Sequence, residues 1–90
     1  MVHWEYRIGT KRHVINGVEE IEYGVTEAYY NDKGDLWLTT ERFIEPSGET
    51  KEELIENLEM MLKDAKKDAP VLDLEKLWKE LEMKQLENKL

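Results

Sequence analysis

The chain has no cysteine, only two prolines and a single phenylalanine among its 90 residues. Without thiols it can build neither a disulfide framework nor a thiolate metal site, and it suits a reducing interior. No apolar run approaches the roughly 20 residues that span a bilayer. Met1-Val2-His3-Trp4-Glu5 has no basic segment leading into an apolar one, so it does not read as a secretory signal. These features predict a soluble, cytoplasmic protein with no membrane partner. Positive charge is also scarce, with 13 Lys and Arg against 21 Asp and Glu and a net charge of −8. A polyphosphate needs a cationic surface, which argues against direct nucleic-acid binding. Solubility is the general explanation of such a charge; an acidic face made for a basic protein is the sharper one.

What is present divides into two halves. Up to about residue 42 apolar residues recur with period two, the signature of half-buried strands. Val2, Trp4, Tyr6 and Ile8 point one way in a strand over about 2–9, and His3, Glu5 and Arg7 point the other. Asn16-Gly17 is a hairpin signal, because both residues accept the positive φ of a type I′ turn. A second strand follows over 18–30, with Ile21, Tyr23, Val25 and Tyr29 on one face. Asn31-Asp32-Lys33-Gly34-Asp35 makes a turn into a third strand, about 36–42. The expected class is α+β: a three-stranded antiparallel meander covered by an amphipathic helix, plus a C-terminal helix.

The helices begin after Pro46-Ser47-Gly48-Glu49-Thr50-Lys51-Glu52-Glu53-Leu54. Thr50 and Glu53 stand at capping-box spacing, each side chain able to serve the other's backbone N–H. Over 51–66, Leu54, Ile55, Leu58, Met61, Leu62 and Ala65 form one stripe, which predicts Leu58 near the centre of the buried face. Asp68-Ala69-Pro70 ends that helix, and Asp73 caps a second one over 74–88. Its apolar residues fall on two sides: Leu74, Leu77, Trp78 and Leu81 on one, Met83, Leu86 and Leu90 on the other. Either the end frays or the second stripe meets another chain. Residues 1–73 thus read as a β-β-β-α domain and 74–90 as a candidate oligomerisation element. Trp78, Met83, Leu86 and Leu90 are its candidate partner surface, and a homodimer is expected.

Chemistry-bearing patterns are sparse. His3 and His13 lack the further convergent ligands that zinc needs. The 31–35 turn has no bidentate Glu at the twelfth loop position of an EF-hand, where Phe43 stands. No phosphate-binding or nucleophile-elbow motif occurs, and no cofactor is called for. Glu27 sits in the apolar register between Val25 and Tyr29. A carboxylate there needs a cation or N–H donors, and Arg7 on the neighbouring strand is the candidate partner in a buried ion pair. A hydrolase using Glu27 with His3 or His13 and a metal is the enzymatic rival.

Trp4-Glu5-Tyr6-Arg7, Glu27-Ala28-Tyr29-Tyr30-Asn31-Asp32-Lys33-Gly34, the 46–54 junction and Pro70-Val71-Leu72-Asp73 together resemble a group of small bacterial and phage proteins of unknown activity. The order of meander then helix, entered through a Thr-x-Glu-Glu segment, also looks like HicB-type antitoxins. Their partial ribonuclease-H-like fold packs strands against such a helix. The glycine-rich loop of those antitoxins and a DNA-binding segment are both missing. The resemblance brings no activity; the net charge and the lack of a convergent catalytic set predict a small non-enzymatic, protein-binding regulatory module acting on a basic protein. An antitoxin-like protein, a phage anti-defence inhibitor and a nucleic-acid mimic are its versions.

Overall fold

The computed structural model describes residues 3–88. Two strands of equal length, β1 (His3–Ile15) and β2 (Val18–Tyr30), pair antiparallel throughout, from His3 opposite Tyr30 to Ile15 opposite Val18. Between them Asn16 and Gly17 take φ of 52° and 79°, the two successive positive values a type I′ turn requires. The β1 strand runs six residues past its expected end. In the second turn the Asn31 side-chain oxygen accepts from the N–H groups of Lys33 and Asp35, and Gly34 has φ of 82°. It leads into β3 (Leu36–Thr39), which pairs antiparallel with β2. Beyond β3 the chain keeps to that edge, with the Thr40 N–H bonded to the Glu27 carbonyl and the Ile44 N–H to the Val25 carbonyl.

Helix α1 (Lys51–Ala65) follows, then a two-residue strand β4 (Leu72–Asp73) and helix α2 (Leu74–Asn88). β4 lies parallel to β1 at Gly9 and Thr10, so the sheet is four-stranded and mixed, in the order β3-β2-β1-β4. The expected meander is there, but a parallel edge strand has been added to it. Two residues are too few to carry any periodicity, and Asp73 also caps α2, accepting from the Lys76 N–H at 3.3 Å.

The α1 cap forms in part as expected. Thr50 has an extended backbone, and its hydroxyl accepts from the Glu53 N–H at 3.1 Å. The Glu53 carboxylate, however, accepts from the Glu49 N–H at 2.9 Å, one residue upstream of the capping-box position. The cap thus serves the Glu53 N–H, while the Glu53 carboxylate ties down the residue before Thr50 rather than Thr50 itself.

In an antiparallel pair opposite residues share a face. One face therefore carries Trp4, Tyr6, Ile8, Glu27 and Tyr29; the other carries Glu5, Arg7, Gly9, Gly24, Thr26 and Ala28. α1 meets the first face, where Asn57 Nδ2 donates to the Tyr6 hydroxyl at 3.0 Å. α2 meets the second. A Cβ on Gly9 would stand 2.8 Å from Leu74, and one on Gly24 2.3 Å from the Phe43 ring. Those two glycines let Leu74 and Phe43 rest directly on the strands. Leu74 is fully buried, so α2 is anchored on the same sheet as α1, on its opposite face.

The buried face of α1 differs from expectation. Leu54, Asn57, Met61, Asp64 and Ala65 turn inward, with Met61 only 6% exposed, while Leu58 is 46% exposed. At 100° per residue the helix is rolled by roughly 70° from its most apolar orientation. The cause is polar. Asn57 bonds the Tyr6 hydroxyl and the Ser47 N–H, and an Asp64 oxygen accepts the Tyr6 backbone N–H. Leaving those buried groups without partners would cost more than uncovering part of an aliphatic stripe.

Candidate functional site

The densest polar cluster lies where the loop after α1 passes the outer edge of β1. The Tyr30 hydroxyl donates to Glu5 Oε1 at 2.9 Å and accepts from Arg7 Nη1 at 2.8 Å. Arg7 Nη2 donates to the Pro70 carbonyl at 2.6 Å. Lys67 Nζ bridges Glu5 Oε2 and Asp64 Oδ1, at 3.2 and 3.1 Å. Burial alone would raise the Glu5 pKa. Hydrogen bonds from Tyr30 and Lys67, with the charges of Lys67 and Arg7, outweigh it and hold the carboxyl below its ordinary value. Burial pushes the Tyr30 hydroxyl up, and Asp64, with Glu5, does the same to the Lys67 ammonium. Each member has partners within the cluster, so its chemistry is that of a latch between β1, β2 and the 66–70 loop.

A group with a depressed folded pKa stabilises the fold above its unfolded value and loses that contribution as pH falls through the folded one. Wild type should therefore exceed Glu5→Gln in urea midpoint at pH 7. The gap should shrink as pH falls below about 4.3, the ordinary Glu value. A pH series of urea melts on both proteins reads this directly, and a gap independent of pH would refute the charged latch.

The expected Arg7–Glu27 ion pair is not formed. Arg7 stands opposite Thr26 and Glu27 opposite Tyr6, so their side chains leave the sheet on opposite faces. Glu27 accepts instead from the Tyr29 hydroxyl at 2.5 Å, which raises the pKa of that phenol. Nor do the residues of the hydrolase alternative converge. His3 stacks on Tyr30 on the face away from Glu27, and His13 pairs with Glu22 at 2.8 Å far along the hairpin. Among the described residues no group of three or more His, Asp or Glu is placed to hold a metal.

An open cleft of about 660 Å³ borders the latch, lined by His3, Glu5, Tyr30, Asn31, Asp32 and Gly34. On the α2 face, Trp78 is half-buried, its Nε1–H donating to the Thr39 hydroxyl at 2.6 Å. It belongs to the core side of α2, a correction to its place in the candidate partner surface. Met83 and Leu86 are exposed, and Leu90 lies outside the described residues. The sequence did not reveal the latch. Its members Glu5, Tyr30, Asp64 and Lys67 sit on β1, β2, α1 and the loop after α1. The local signs are opposite charges at Glu5 and Arg7, two apart on the same strand face, and at Asp64 and Lys67, three apart at the end of α1.

A second set of side chains faces solvent on α1. Glu52, Glu56 and Glu59 share one side of the helix and are exposed, as are Glu45 and Glu49 in the approach to it. None of the five joins an ion pair among the described residues. The cations Arg7, Arg12 and Lys67, by contrast, each lie against carboxylates of the fold itself.

Compared with family models, with curated proteins and with solved structures, the chain matches none. Among the described residues no helix is long and apolar enough to cross a membrane.

Proposed function

We propose that the chain is a non-enzymatic, acidic protein-binding module of the cytoplasm whose partner is a basic protein. The observation that carries this reading is the carboxylate face of α1, whose Glu52, Glu56 and Glu59 join no ion pair among the described residues. Glu52 and Glu56 are four residues apart and Glu56 and Glu59 three, so each pair repels at a cost of about 0.2–0.5 kcal/mol. Lys63, four residues on from Glu59, shares that side but joins no ion pair among the described residues. Internal pairing consumes part of the chain's cationic charge, which leaves this face to set the outward field and speed encounter with a positive surface.

The meander followed by a Thr-capped helix supports the antitoxin-like version of the reading. Inhibition of a host defence protein, including by mimicry of nucleic-acid charge, is the other version. Genomic neighbourhood separates them: an adjacent toxin gene favours the first, a cluster of anti-defence genes the second.

The direct test replaces Glu52, Glu56 and Glu59 by glutamine together. The triple variant should keep its circular dichroism and melt at the same temperature or slightly higher, since repulsion is removed. Its capture of basic protein from source cells at low salt should fall at least tenfold, and wild-type capture should weaken as salt rises. Capture indifferent to both salt and the triple substitution would overturn the proposal.

A further inference from the structure

The same helix carries a different surface beside its acidic one. Ile55, Leu58 and Leu62, at offsets 0, 3 and 7, form an exposed aliphatic stripe left uncovered by the roll of α1. In the far half of the β1–β2 hairpin, residues 12–23 are all exposed as well. Its Ile21 and Tyr23 stand opposite Arg12 and Thr10, on the sheet face that carries Tyr6 and meets α1. These five side chains, between 42% and 67% exposed, thus lie on one side of the sheet. A two-stranded hairpin is marginal in water without a cover.

The surface area says how large the missing cover is. The chain exposes 7337 Å², against about 5,500 Å² for a compact folded monomer of its 10.7 kDa mass. Its radius of gyration is 15.2 Å, against about 12 Å for a compact 90-residue domain. The surplus, about 1,800 Å² per chain, is more than the roughly 800 Å² each partner contributes to a standard stable interface.

We propose that a second copy of this chain covers this face, in a two-fold dimer built on the α1 stripe and the inner side of the hairpin. An isologous interface needs only one patch, and the surplus surface of the whole chain exceeds what one partner contributes to such an interface. The other obvious self-pairing, strand to strand along the outer edge of β2, is disfavoured by charge. Antiparallel pairing centred on Ile21 would set Glu20 directly opposite Glu22 of the other copy, twice over. The face-to-face arrangement avoids this, and Glu52, Glu56 and Glu59 lie off the aliphatic stripe.

The inference is independent of any basic partner, and salt distinguishes the two. Salt screens repulsion between two chains of net charge −8 and should strengthen the dimer, while it should weaken capture of a cationic protein. Light scattering and sedimentation of the intact chain over a hundredfold concentration range are the test. Wild type should have twice the mass of one chain, Leu58→Glu and Ile21→Glu should each halve it, and Leu86→Glu on α2 should leave it unchanged. None of these side chains is buried in the single chain, so circular dichroism should be retained in all three variants. A monomeric wild type at several hundred micromolar would overturn the proposal. So would a Leu58→Glu dimer, or loss of the dimer only in Leu86→Glu, which would move the interface to α2.

Discussion

Replacement of Leu74 by alanine is expected to destabilise the protein by about 2–5 kcal/mol, the range for a buried leucine whose cavity cannot fully collapse. A 90-residue domain has a total stability of only roughly 5–13 kcal/mol, so this is a large share of it. Leu74 is the largest fully buried apolar side chain, and it rests on the bare backbone of Gly9. Backbone held in a ladder between β2 and β4 cannot move in to fill the gap. With a urea slope of roughly 1 kcal/mol per molar, the unfolding midpoint should drop by about 2 M or more at unchanged slope. Melts at one fixed protein concentration are needed, since any self-association would otherwise enter the midpoint. The contact with Gly9 supplies an internal control. Gly9→Ala alone should destabilise, because its methyl would stand 2.8 Å from Leu74, whereas in the Leu74→Ala background the same methyl enters vacated space. The two changes should therefore cost less together than the sum of the singles. Strict additivity would mean that Leu74 and Gly9 are not packed as described.

Much of the architecture was legible because local rules and the fold agree. The 18–30 strand, the Asn16-Gly17 turn, the Asn31 turn and both helix starts follow from turn chemistry and capping, which act over a few residues. The length of β1 was legible too, but from a different signal than alternation. Lys11, Arg12 and His13 interrupt the period-two pattern, which suggests an end near Gly9. A two-residue turn before a 13-residue strand nevertheless requires a partner of similar length on its other side, and β1 supplies it. β4 left no comparable trace, because a two-residue parallel edge is specified by where the chain must pass rather than by its own composition.

The polar placements were the least legible. Glu27 occupies the face that alternation assigns to it, yet its partner is Tyr29 on its own strand rather than Arg7. Strand register decides this: Tyr6 stands opposite Glu27, which puts Arg7 on the other face, and register is set by the hairpin turn far away. The Arg7 guanidinium instead reaches Tyr30 and the Pro70 carbonyl, groups 23 and 63 positions away in sequence. Contacts of that separation have no local signature. The carboxylate face of α1, by contrast, could be read from sequence as a charge pattern. Only the structure revealed that its carboxylates join no ion pair among the described residues.

The rolled orientation of α1 gives the second large effect. Met61→Ala should cost about 2–5 kcal/mol, while Leu58→Ala should cost well under half as much in the monomeric chain. A hydrophobic pattern alone ranks them the other way, since Leu58 lies at the centre of the aliphatic stripe. Met61 is 6% exposed, flanked one turn away on either side by Asn57 and Asp64, whose bonds to Tyr6 fix the roll. Truncating Met61 opens a cavity against β1 that those polar anchors prevent the helix from closing. Truncating Leu58 removes atoms that are already near water. Urea melts of both variants, each made in the Ile21→Glu monomeric background, separate the fold from self-association. Equal costs for Met61 and Leu58 in the monomer would mean that α1 sits in its most apolar orientation and that Asn57 does not bond Tyr6. A further replacement, Asn57→Leu, should let the helix rotate toward that orientation. Leu58 should then become the more costly position, reversing the order of the two alanine effects.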